Sequence, residues 1–340
     1  MRAAVLYPGG TVVVEDREVP APAPGDVLVR VAAVGVCGSD AHYLRHGRIG
    51  DYIVDGPIVL GHEASGVVVG VGDGVERARI GQRVSIEPQR PDPVSAESLR
   101  GEYNLCPHMR FYATPPVDGA LAEFVTIGAA FAHPVPDSVS DTAAALLEPL
   151  SVGLAAVRKA AIGPGAAVLV AGAGPVGLLV AQVAHAAGAT RIVVSDVMPG
   201  RREQAERLGA TETRPADVDP GAGYDAFVDA SGAPSAVRSG IRAVRPGGRV
   251  VLVGMGADTM ELPVSLIQNR ELSLTGVFRY ANTWHAAIEL AATGRVRLDA
   301  MVTGRFGLDQ TVEALNADRT PGAMKAVVFP GVPSIDRVDQ

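Results

Sequence analysis

The chain has 340 residues, a length typical of about two domains rather than one. It is 47% hydrophobic and 20% charged, and its formal net charge of −7 argues against a nucleic-acid partner, because binding to phosphates needs a basic surface. Two cysteines are too few for a disulfide framework, so we expect a cytoplasmic protein.

In chain order, residues 1–145 favour β-structure. Several runs are rich in β-branched residues and are separated by Gly, Pro and Asp, among them AAVLY, TVVVEDREV, DVLVRVAAVGV, ASGVVVGVG and RVSIEP. Helical periodicity is scarce in this part of the chain. The pattern therefore predicts a β-barrel or a folded sheet.

The pattern changes at residues 141–162, an alanine-rich segment that predicts a helix. Strand and helix patterns then alternate, beginning with AAVLVAG, PVGLLVAQVAHAAG, RIVVSD and PGRREQAERLG, which indicates a doubly wound parallel sheet. The segment 281–330 predicts a helix at TWHAAIELAATG, a helix at 309–317 and a final strand, KAVVFP. Residues 331–340 read as a loose tail.

The uncharged stretch 166–189 is long enough to span a bilayer. However, Gly172, Gly174, Pro175 and Gly177 divide it into two short pieces. We therefore predict a buried strand, a turn and a buried helix here, and no membrane partner.

The same turn has the features of a nucleotide site. Gly172, Gly174 and Gly177 have the spacing GxGxxG between a strand and a helix, where a pyrophosphate binds close to the backbone and the helix N-terminus. Asp196 ends the next strand, where a carboxylate accepts hydrogen bonds from the adenosine ribose and repels a 2′-phosphate. Asp196 could instead cap a helix, and Arg201 could favour a phosphate. With the glycine motif upstream, the pattern predicts NAD rather than NADP.

Four candidate metal ligands lie at or before the start of this second part: Cys37, His62, Glu63 and Glu148. A thiolate, an imidazole and a carboxylate with one open position suit a catalytic zinc ion. Taken singly, a buried histidine or cysteine more often serves packing alone. The set together predicts a zinc site, in which Asp40 could orient the His62 ring.

Five segments resemble the zinc-dependent medium-chain alcohol dehydrogenases, and within them the sorbitol (L-iditol)/xylitol dehydrogenase branch: GVCGSDAHYLRHGRIG, VLGHEASG, EPLSVG, GAGPVG and GVFRYANTW. The resemblance covers residues 1–330. It implies an α/β protein in which a GroES-like β-barrel forms the catalytic domain (1–147 and 283–340). A Rossmann domain with a doubly wound parallel sheet would bind the coenzyme (148–282). It also implies NAD, one catalytic Zn²⁺ per chain, a polyol substrate and a homo-oligomer, a tetramer by analogy with the family.

The resemblance also implies roles for individual residues. Cys37, His62 and Glu63 would hold zinc, and Glu148 would contact it directly or through its water. The simple-alcohol enzymes usually have a cysteine at the position of Glu148, so this carboxylate favours the polyol branch. The expected contacts to the polyol are Tyr43, Phe111, Glu148, Arg279 and Tyr280. The expected contacts to the cofactor are Gly172, Gly174, Pro175, Val176, Gly177, Asp196, Arg201, Val253, Gly254, Met255, Val277, Phe278 and Arg279.

In the implied reaction, zinc lowers the pKa of a secondary hydroxyl group of the substrate, and hydride passes to the nicotinamide to give a ketose. The proton would leave through Ser39 and His42, or through a water near Glu148, so these three are the expected catalytic residues. Arg279 and Tyr43 would hold neighbouring hydroxyl groups. Alternatively, Arg279 forms a salt bridge and Tyr43 is only a wall residue.

One loop departs from the family pattern. Many relatives hold a second, structural zinc on four cysteines in a loop that ends in NLC, whereas this loop has Asp92, Ser95, Ser98 and Cys106 at those positions. Serine is a poor zinc ligand, so we expect no structural zinc.

Three other functions stay open. The same chemistry could act on a diol, an aminocyclitol or an amino-alcohol. The scaffold could also belong to a zinc-free quinone reductase or to a cofactor-binding protein without catalysis. The last two are disfavoured because the chain keeps Cys37, His62 and Glu63.

Overall fold

The computed structural model describes residues 1–335, and residues 336–340 of the predicted tail lie outside that range. The chain divides into two compact units, one formed by Met1–Glu148 with the residues from Leu298 onward, the other by Pro149–Arg297. Over the described residues, none of the helices has the length and apolar character needed to cross a membrane.

The strands and helices agree with a β-rich first part and an alternating second part. The strands are β1 (Arg2–Tyr7), β2 (Thr11–Asp16), β3 (Asp26–Gly35), β4 (Arg48–Ile49), β5 (Tyr52–Ile53), β6 (Ile58–Val59), β7 (Glu63–Val71), β8 (Arg83–Ile86), β9 (Gln89–Arg90), β10 (Arg110–Phe111), β11 (Phe124–Gly128), β12 (Ala132–Pro134), β13 (Ala167–Ala171), β14 (Arg191–Asp196), β15 (Glu212–Pro215), β16 (Tyr224–Asp229), β17 (Val244–Leu252), β18 (Ser273–Gly276), β19 (Val302–Gly307) and β20 (Lys325–Phe329). The helices are α1 (Gly38–His46), α2 (Ala96–Leu99), α3 (Asp141–Ala145), α4 (Leu147–Lys159), α5 (Pro175–Ala186), α6 (Pro199–Arg207), α7 (Pro234–Ala243), α8 (Val264–Asn269), α9 (Trp284–Ala292) and α10 (Thr311–Leu315).

The first unit is built around a seven-stranded sheet. Six strands follow the order β12-β8-β7-β3-β20-β19, and β11 pairs with β3. Apart from the parallel pair β19–β20, neighbouring strands are antiparallel. Side chains of alternate strand residues, such as Val27, Val29 and Val31 of β3, enter one buried apolar cluster. The last strands of the chain thus pair with its first half, and β3 is at the centre.

The second unit contains a six-stranded sheet in which all strands are parallel. The strand order β15-β14-β13-β16-β17-β18 is that of a doubly wound dinucleotide-binding sheet. Helices α5, α6 and α7 connect successive strands, and apolar residues of α7, such as Val237 and Ile241, pack on the sheet. The structure confirms the predicted parallel sheet, and a cofactor is expected where the strand order reverses, at the carboxyl ends of β13 and β16.

The division into units differs from the predicted domain ranges. Residues 283–297 were predicted in the first domain but group with the second unit, and Glu148 groups with the first. Helix α9 belongs to the second unit because the Trp284 ring packs on Tyr280 at 5.4 Å between centroids. Beyond the C-terminus of α9, the backbone N–H of Arg297 donates to the Gln182 side chain at 2.8 Å.

Two local predictions were incomplete. Helix α1 was not predicted, because a nine-residue helix without a clear apolar stripe leaves little periodicity to detect. The helix predicted over 141–162 is two helices, α3 and α4. Pro149 lacks the N–H that a continuous helix would direct to Ala145, so α3 ends at Ala145 and α4 starts at Leu147, with Pro149 in its first turn.

Candidate metal centre and nucleotide site

Three of the predicted ligands converge in the first unit. Cys37 follows β3, His62 precedes β7, and Glu63 is the first residue of β7. One ligand atom of each lies within 4.8 Å of the other two. The convergence follows from the sheet register, because Gly35 at the end of β3 lies opposite Glu63.

The donor set and one unsatisfied oxygen fit a metal ion. Glu63 is completely buried, and its Oε2 has no hydrogen-bond partner among the described residues. A buried carboxylate oxygen without a partner is costly unless a cation satisfies it. A sulfur, an imidazole nitrogen and a carboxylate oxygen are ligands that suit zinc and leave a fourth position open.

Asp40 links the segment that carries Cys37 to the segment that carries His62. Its carboxylate accepts the backbone N–H groups of Cys37 (2.9 Å) and Gly61 (3.0 Å) and lies 3.7 Å from Nδ1 of His62. Burial lowers the pKa of His62, but the Asp40 carboxylate and Cys37 together raise it well above the usual value. A metal ion that bound the His62 imidazole would have to displace the proton that this raised pKa favours, because a histidine ligand is neutral.

Lys325, the first residue of β20, completes the surroundings of Glu63 and was missed in the sequence. Its ammonium group donates to Oε1 of Glu63 at 2.5 Å and to the carbonyl of Val36 at 2.8 Å. Burial lowers the pKa of Lys325, but the charges of Glu63 and Cys37 raise it. A single charged residue in an otherwise apolar strand, KAVVF, was the available signal.

Glu148 lies outside the three-residue cluster. It is the second residue of α4 and is buried, and its charge contributes to the raised pKa of Lys325. A direct bond from Glu148 to zinc therefore remains a prediction, as does contact through water.

The other predicted residues of the first unit lie around the cluster. Ser39 and His42 are on α1, and the exposed His42 ring lies 4.5 Å from that of His46. Tyr43, one turn after Ser39, is buried. The buried Phe111 ring lies 5.6 Å from the His62 ring. Their predicted roles in proton transfer and substrate contact remain predictions.

The glycine-rich turn between β13 and α5 has the geometry that the motif predicts. Gly172 has φ +95°, and a Cβ on Gly177 would lie 1.8 Å from the Gly172 carbonyl oxygen. A Cβ on Gly174 would have no atom within 4 Å, so its backbone is open to a ligand. Pro175 starts α5, and Val176 follows it in the first turn. The turn is therefore closely packed on one side and open on the other.

Asp196 lies at the carboxyl end of β14, beside this turn. One carboxylate oxygen accepts the backbone N–H of Ala173 at 2.7 Å, and the other accepts that of Met198 at 2.8 Å. Asp196 thus ties the glycine-rich turn to the end of the neighbouring strand. Arg201 lies in the first turn of α6, which follows.

The remaining predicted cofactor residues follow two other strands of the same sheet. Val253, Gly254 and Met255 come after β17, and Val277, Phe278 and Arg279 come after β18. Arg279 has φ +56°, which is strained for a residue with a Cβ, and its guanidinium lies over the Phe278 ring. The predicted substrate residue Tyr280 is buried against Trp284. All of the predicted cofactor segments thus follow carboxyl ends of parallel strands.

The loop that carries Cys106 is held by hydrogen bonds. The four positions singled out in the sequence converge: the Cys106 sulfur accepts the backbone N–H of Asp92 at 3.3 Å, and the Ser95 hydroxyl donates to the Ser98 hydroxyl at 3.0 Å beside it. The buried Glu87, at the base of the loop, was not singled out in the sequence. Its carboxylate accepts from three side chains, Tyr103 (2.8 Å), His133 (2.9 Å) and Gln89 (3.0 Å).

Comparisons with known proteins agree with this architecture. Residues 23–137 match the family model of the alcohol dehydrogenase GroES-like domain, and residues 175–293 match that of zinc-binding dehydrogenases. The sorbitol dehydrogenase of Mus musculus is 41% identical over 336 residues, 95% of this chain and 94% of the relative. That of Gallus gallus is 39% identical over 338 residues, 96% of this chain and 95% of the relative.

Solved structures are similar along nearly the whole chain. A 2R,3R-butanediol dehydrogenase from Bacillus subtilis has a TM-score of 0.89 at 32% identity, covering 97% of this chain and 99% of its own. An Escherichia coli alcohol dehydrogenase complexed with NADH (TM-score 0.91, 26% identity) and a zinc-binding dehydrogenase of Sinorhizobium meliloti bound to NADP (0.90, 31%) both have the same coverage, 97% of this chain and 99% of their own. The chain therefore belongs to the zinc-dependent medium-chain alcohol dehydrogenases, in the branch of the sorbitol dehydrogenases.

Proposed function

We propose that this protein is a zinc-dependent oxidoreductase that oxidises a secondary hydroxyl group of a polyol of the sorbitol, xylitol or iditol type to a ketose, with transfer of hydride to NAD. The observation that carries the proposal is the cluster of Cys37, His62 and Glu63, in which a buried carboxylate oxygen lacks a partner. The identity of about 40% with sorbitol dehydrogenases supports the polyol as substrate.

The side chains of the first unit would bind the metal and remove a proton. Cys37, His62 and Glu63 would hold one zinc ion, which supplies a Lewis acid that lowers the pKa of a hydroxyl group. Asp40 orients the imidazole of His62. Ser39 and the exposed His42 would pass the proton to solvent, and Glu148 offers the alternative route. Tyr43 and Phe111 would line the substrate.

The second unit would bind the cofactor. The open backbone at Gly174 and the N-terminus of α5 suit a pyrophosphate. The carboxylate of Asp196 would accept hydrogen bonds from the adenosine ribose and repel a 2′-phosphate, which favours NAD. Val253–Met255, Val277–Arg279 and Arg201 would complete the contacts, and Arg279 and Tyr280 would also reach the polyol.

The preference for NAD can be tested at Asp196. We expect kcat/KM to be higher with NAD than with NADP. We also expect Asp196→Asn to weaken the binding of NAD by about 10–100-fold, since a hydrogen bond to a charged group contributes ~1.5–3 kcal/mol. A Gly177→Ala variant, whose new methyl group would clash with the Gly172 carbonyl oxygen, should weaken the binding of NAD and NADP equally. An Asp196→Asn enzyme with an unchanged cofactor ratio would contradict the proposed role.

The substrate and the number of zinc ions can be tested together. Metal analysis should find one zinc per chain, because a loop with one thiol and two serine hydroxyl groups is a poor second zinc site. Sorbitol, xylitol and iditol should be oxidised faster than simple alcohols. Two zinc ions per chain would contradict the single-site proposal, and zero zinc would favour a quinone reductase.

A diol is the second candidate substrate. The similar fold and 32% identity of the butanediol dehydrogenase favour it, since both substrates carry neighbouring hydroxyl groups. Oxidation of 2,3-butanediol without turnover of any polyol would replace the polyol proposal by this one.

We further propose that the protein is a cytoplasmic homo-oligomer, a tetramer by analogy with the family, without nucleic-acid or membrane partners. The two cysteines are both free, which suits a reducing compartment. Light scattering after size-exclusion chromatography should give a mass of several chains of 35.0 kDa.

A further inference from the structure

The two carboxylate oxygens of Glu63 have different surroundings. Oε1 is bonded to the Lys325 ammonium group, whereas Oε2 has no hydrogen-bond partner among the described residues. We propose that Lys325 and Gly35 are positioning residues that make Glu63 present a single oxygen, Oε2, to the metal site. This inference rests on the proposed role of Glu63 as a zinc ligand.

Gly35 provides the space that Oε2 occupies. It lies opposite Glu63 in the pairing of β3 with β7. A Cβ on Gly35 would lie 2.1 Å from Oε2 of Glu63 and 2.9 Å from Cδ2 of Leu146. Any other residue at position 35 would therefore displace the carboxylate.

Lys325 reaches Glu63 from the other side of β3. Strand β20 pairs with β3 so that Val327 lies opposite Gly35, and the strands of Glu63, Gly35 and Lys325 are consecutive in the sheet. The second bond of the ammonium group, to the Val36 carbonyl, anchors it at the end of β3. The position of Nζ is thus set by two strands at once.

The identity of this cation is notable in this chain. Of the 30 lysine and arginine residues, only Lys159 and Lys325 are lysines. An ammonium group is a compact point charge, whereas a guanidinium group is a planar fork that needs more room. Lys325 is only 3% exposed, so a compact cation suits the space beside Glu63.

The bond from Lys325 to Oε1 determines how many oxygens Glu63 can offer to a metal ion. A carboxylate can bind a metal through one oxygen or through two. With Oε1 held by Lys325, Glu63 contributes one ligand atom, and the cluster offers three protein ligands in total. A catalytic zinc site needs this number in order to keep an open position for substrate.

The test compares Lys325→Met and Gly35→Ala in the full-length protein, loaded with zinc or with Co²⁺. Absorption of Co²⁺ in the visible range weakens as its coordination number rises from four to five. We expect Lys325→Met to retain one metal ion per chain and to show weaker cobalt absorption. Its kcat should fall about tenfold or more with an unchanged KM for NAD, the pattern of an interaction outside cofactor binding.

In contrast to Lys325→Met, which should retain its metal ion, Gly35→Ala should bind the metal ion more weakly. With Lys325 intact and Oε2 displaced, this variant should lose metal to a chelator faster than the wild type. Lys159→Met serves as the control, because Lys159 lies in the second unit and its ammonium group donates to the Gly276 carbonyl at 2.8 Å, so the cobalt spectrum should not change.

Two outcomes would overturn the inference: a wild-type cobalt spectrum and kcat in Lys325→Met, or loss of metal from a folded Lys325→Met protein. If Lys325→Met does not fold, wild-type metal retention in Gly35→Ala would overturn it as well. Metal content and polyol turnover of the wild type test the proposed function separately. A wild-type protein that binds no metal would overturn both.

Discussion

At the scale of single residues, the two cysteines differ in the groups around their sulfur atoms. Cys37 lies beside His62 and Glu63. Cys106 is buried in a hydrogen-bonded loop. Burial raises the pKa of the Cys106 thiol. The Ser95 hydroxyl and the Asp92 N–H lower this pKa by more than burial raises it, so the pKa is below the usual value. The Cys106 thiol therefore bonds within its own loop, where it accepts the Asp92 N–H at 3.3 Å and donates to the Asp92 carbonyl at 4.0 Å.

We expect Cys37→Ala to lose zinc and activity together, because it removes the only thiolate of the cluster. Cys106→Ala should keep both, since its sulfur accepts a hydrogen bond from an N–H group, for which another acceptor can substitute. Metal analysis and steady-state kinetics of the two purified variants provide the measurement. Equal zinc loss in both variants would place a metal ligand in the Cys106 loop.

At the scale of elements, the loop between β8 and β11 is attached to the sheet through buried polar groups. The Glu87 carboxylate accepts hydrogen bonds from three side chains, and the Arg90 guanidinium bonds to Asp26 at 2.9 Å and to the Thr126 carbonyl at 2.6 Å. The Tyr103 ring also packs edge-on against Phe131, with 5.8 Å between centroids. These contacts explain how the loop can be held without four cysteines.

We expect Glu87→Ala to destabilise this loop strongly. The substitution removes an acceptor shared by three side chains, and for Gln89, which is buried, a lost hydrogen bond costs about 1–3 kcal/mol. Glu102→Ala, which removes a half-exposed carboxylate of the same loop, should change the free energy of unfolding by less than ~1 kcal/mol. Urea unfolding and hydrogen exchange of residues 88–112 test this pair. Similar exchange in the two variants would show that Glu87 does not hold the loop.

At the scale of the whole molecule, each unit has its own buried core. The cluster of the first unit extends from the N-terminal strands to β20, and that of the second unit lies between the parallel sheet and its helices. The proposed zinc ligands belong to the first unit, and the glycine-rich turn and Asp196 belong to the second. Neither core depends on side chains of the candidate metal site.

We therefore expect removal of zinc by a chelator to abolish turnover while the far-UV circular dichroism spectrum stays unchanged. NADH binding, followed by its fluorescence, should persist in the metal-free protein because its contacts lie in the second unit. Added zinc should restore turnover. Loss of secondary structure on chelation would show that a metal ion contributes to folding, as structural zinc sites do.

Much of the fold was predictable because its signals are local. Alternating strand and helix patterns indicated the parallel sheet, and the GxGxxG turn with Asp196 indicated the edge of the sheet at which a nucleotide would bind. The break between α3 and α4 depends on a single residue, Pro149. Helix α1 was missed because a helix capped by Cys37 and Asp40 is too short to show periodicity.

The sequence by itself determined the family, the candidate ligands and the departure in the Cys106 loop, because each depends on residue types at short, recognisable spacings. Only the tertiary structure decided which groups surround them. Lys325 lies 262 residues from Glu63 in the chain, and the two meet because β20 pairs with β3. His133 is likewise brought to Glu87 by the pairing of β12 with β8. Contacts of this kind depend on strand register across the whole unit, which no local pattern of residues specifies.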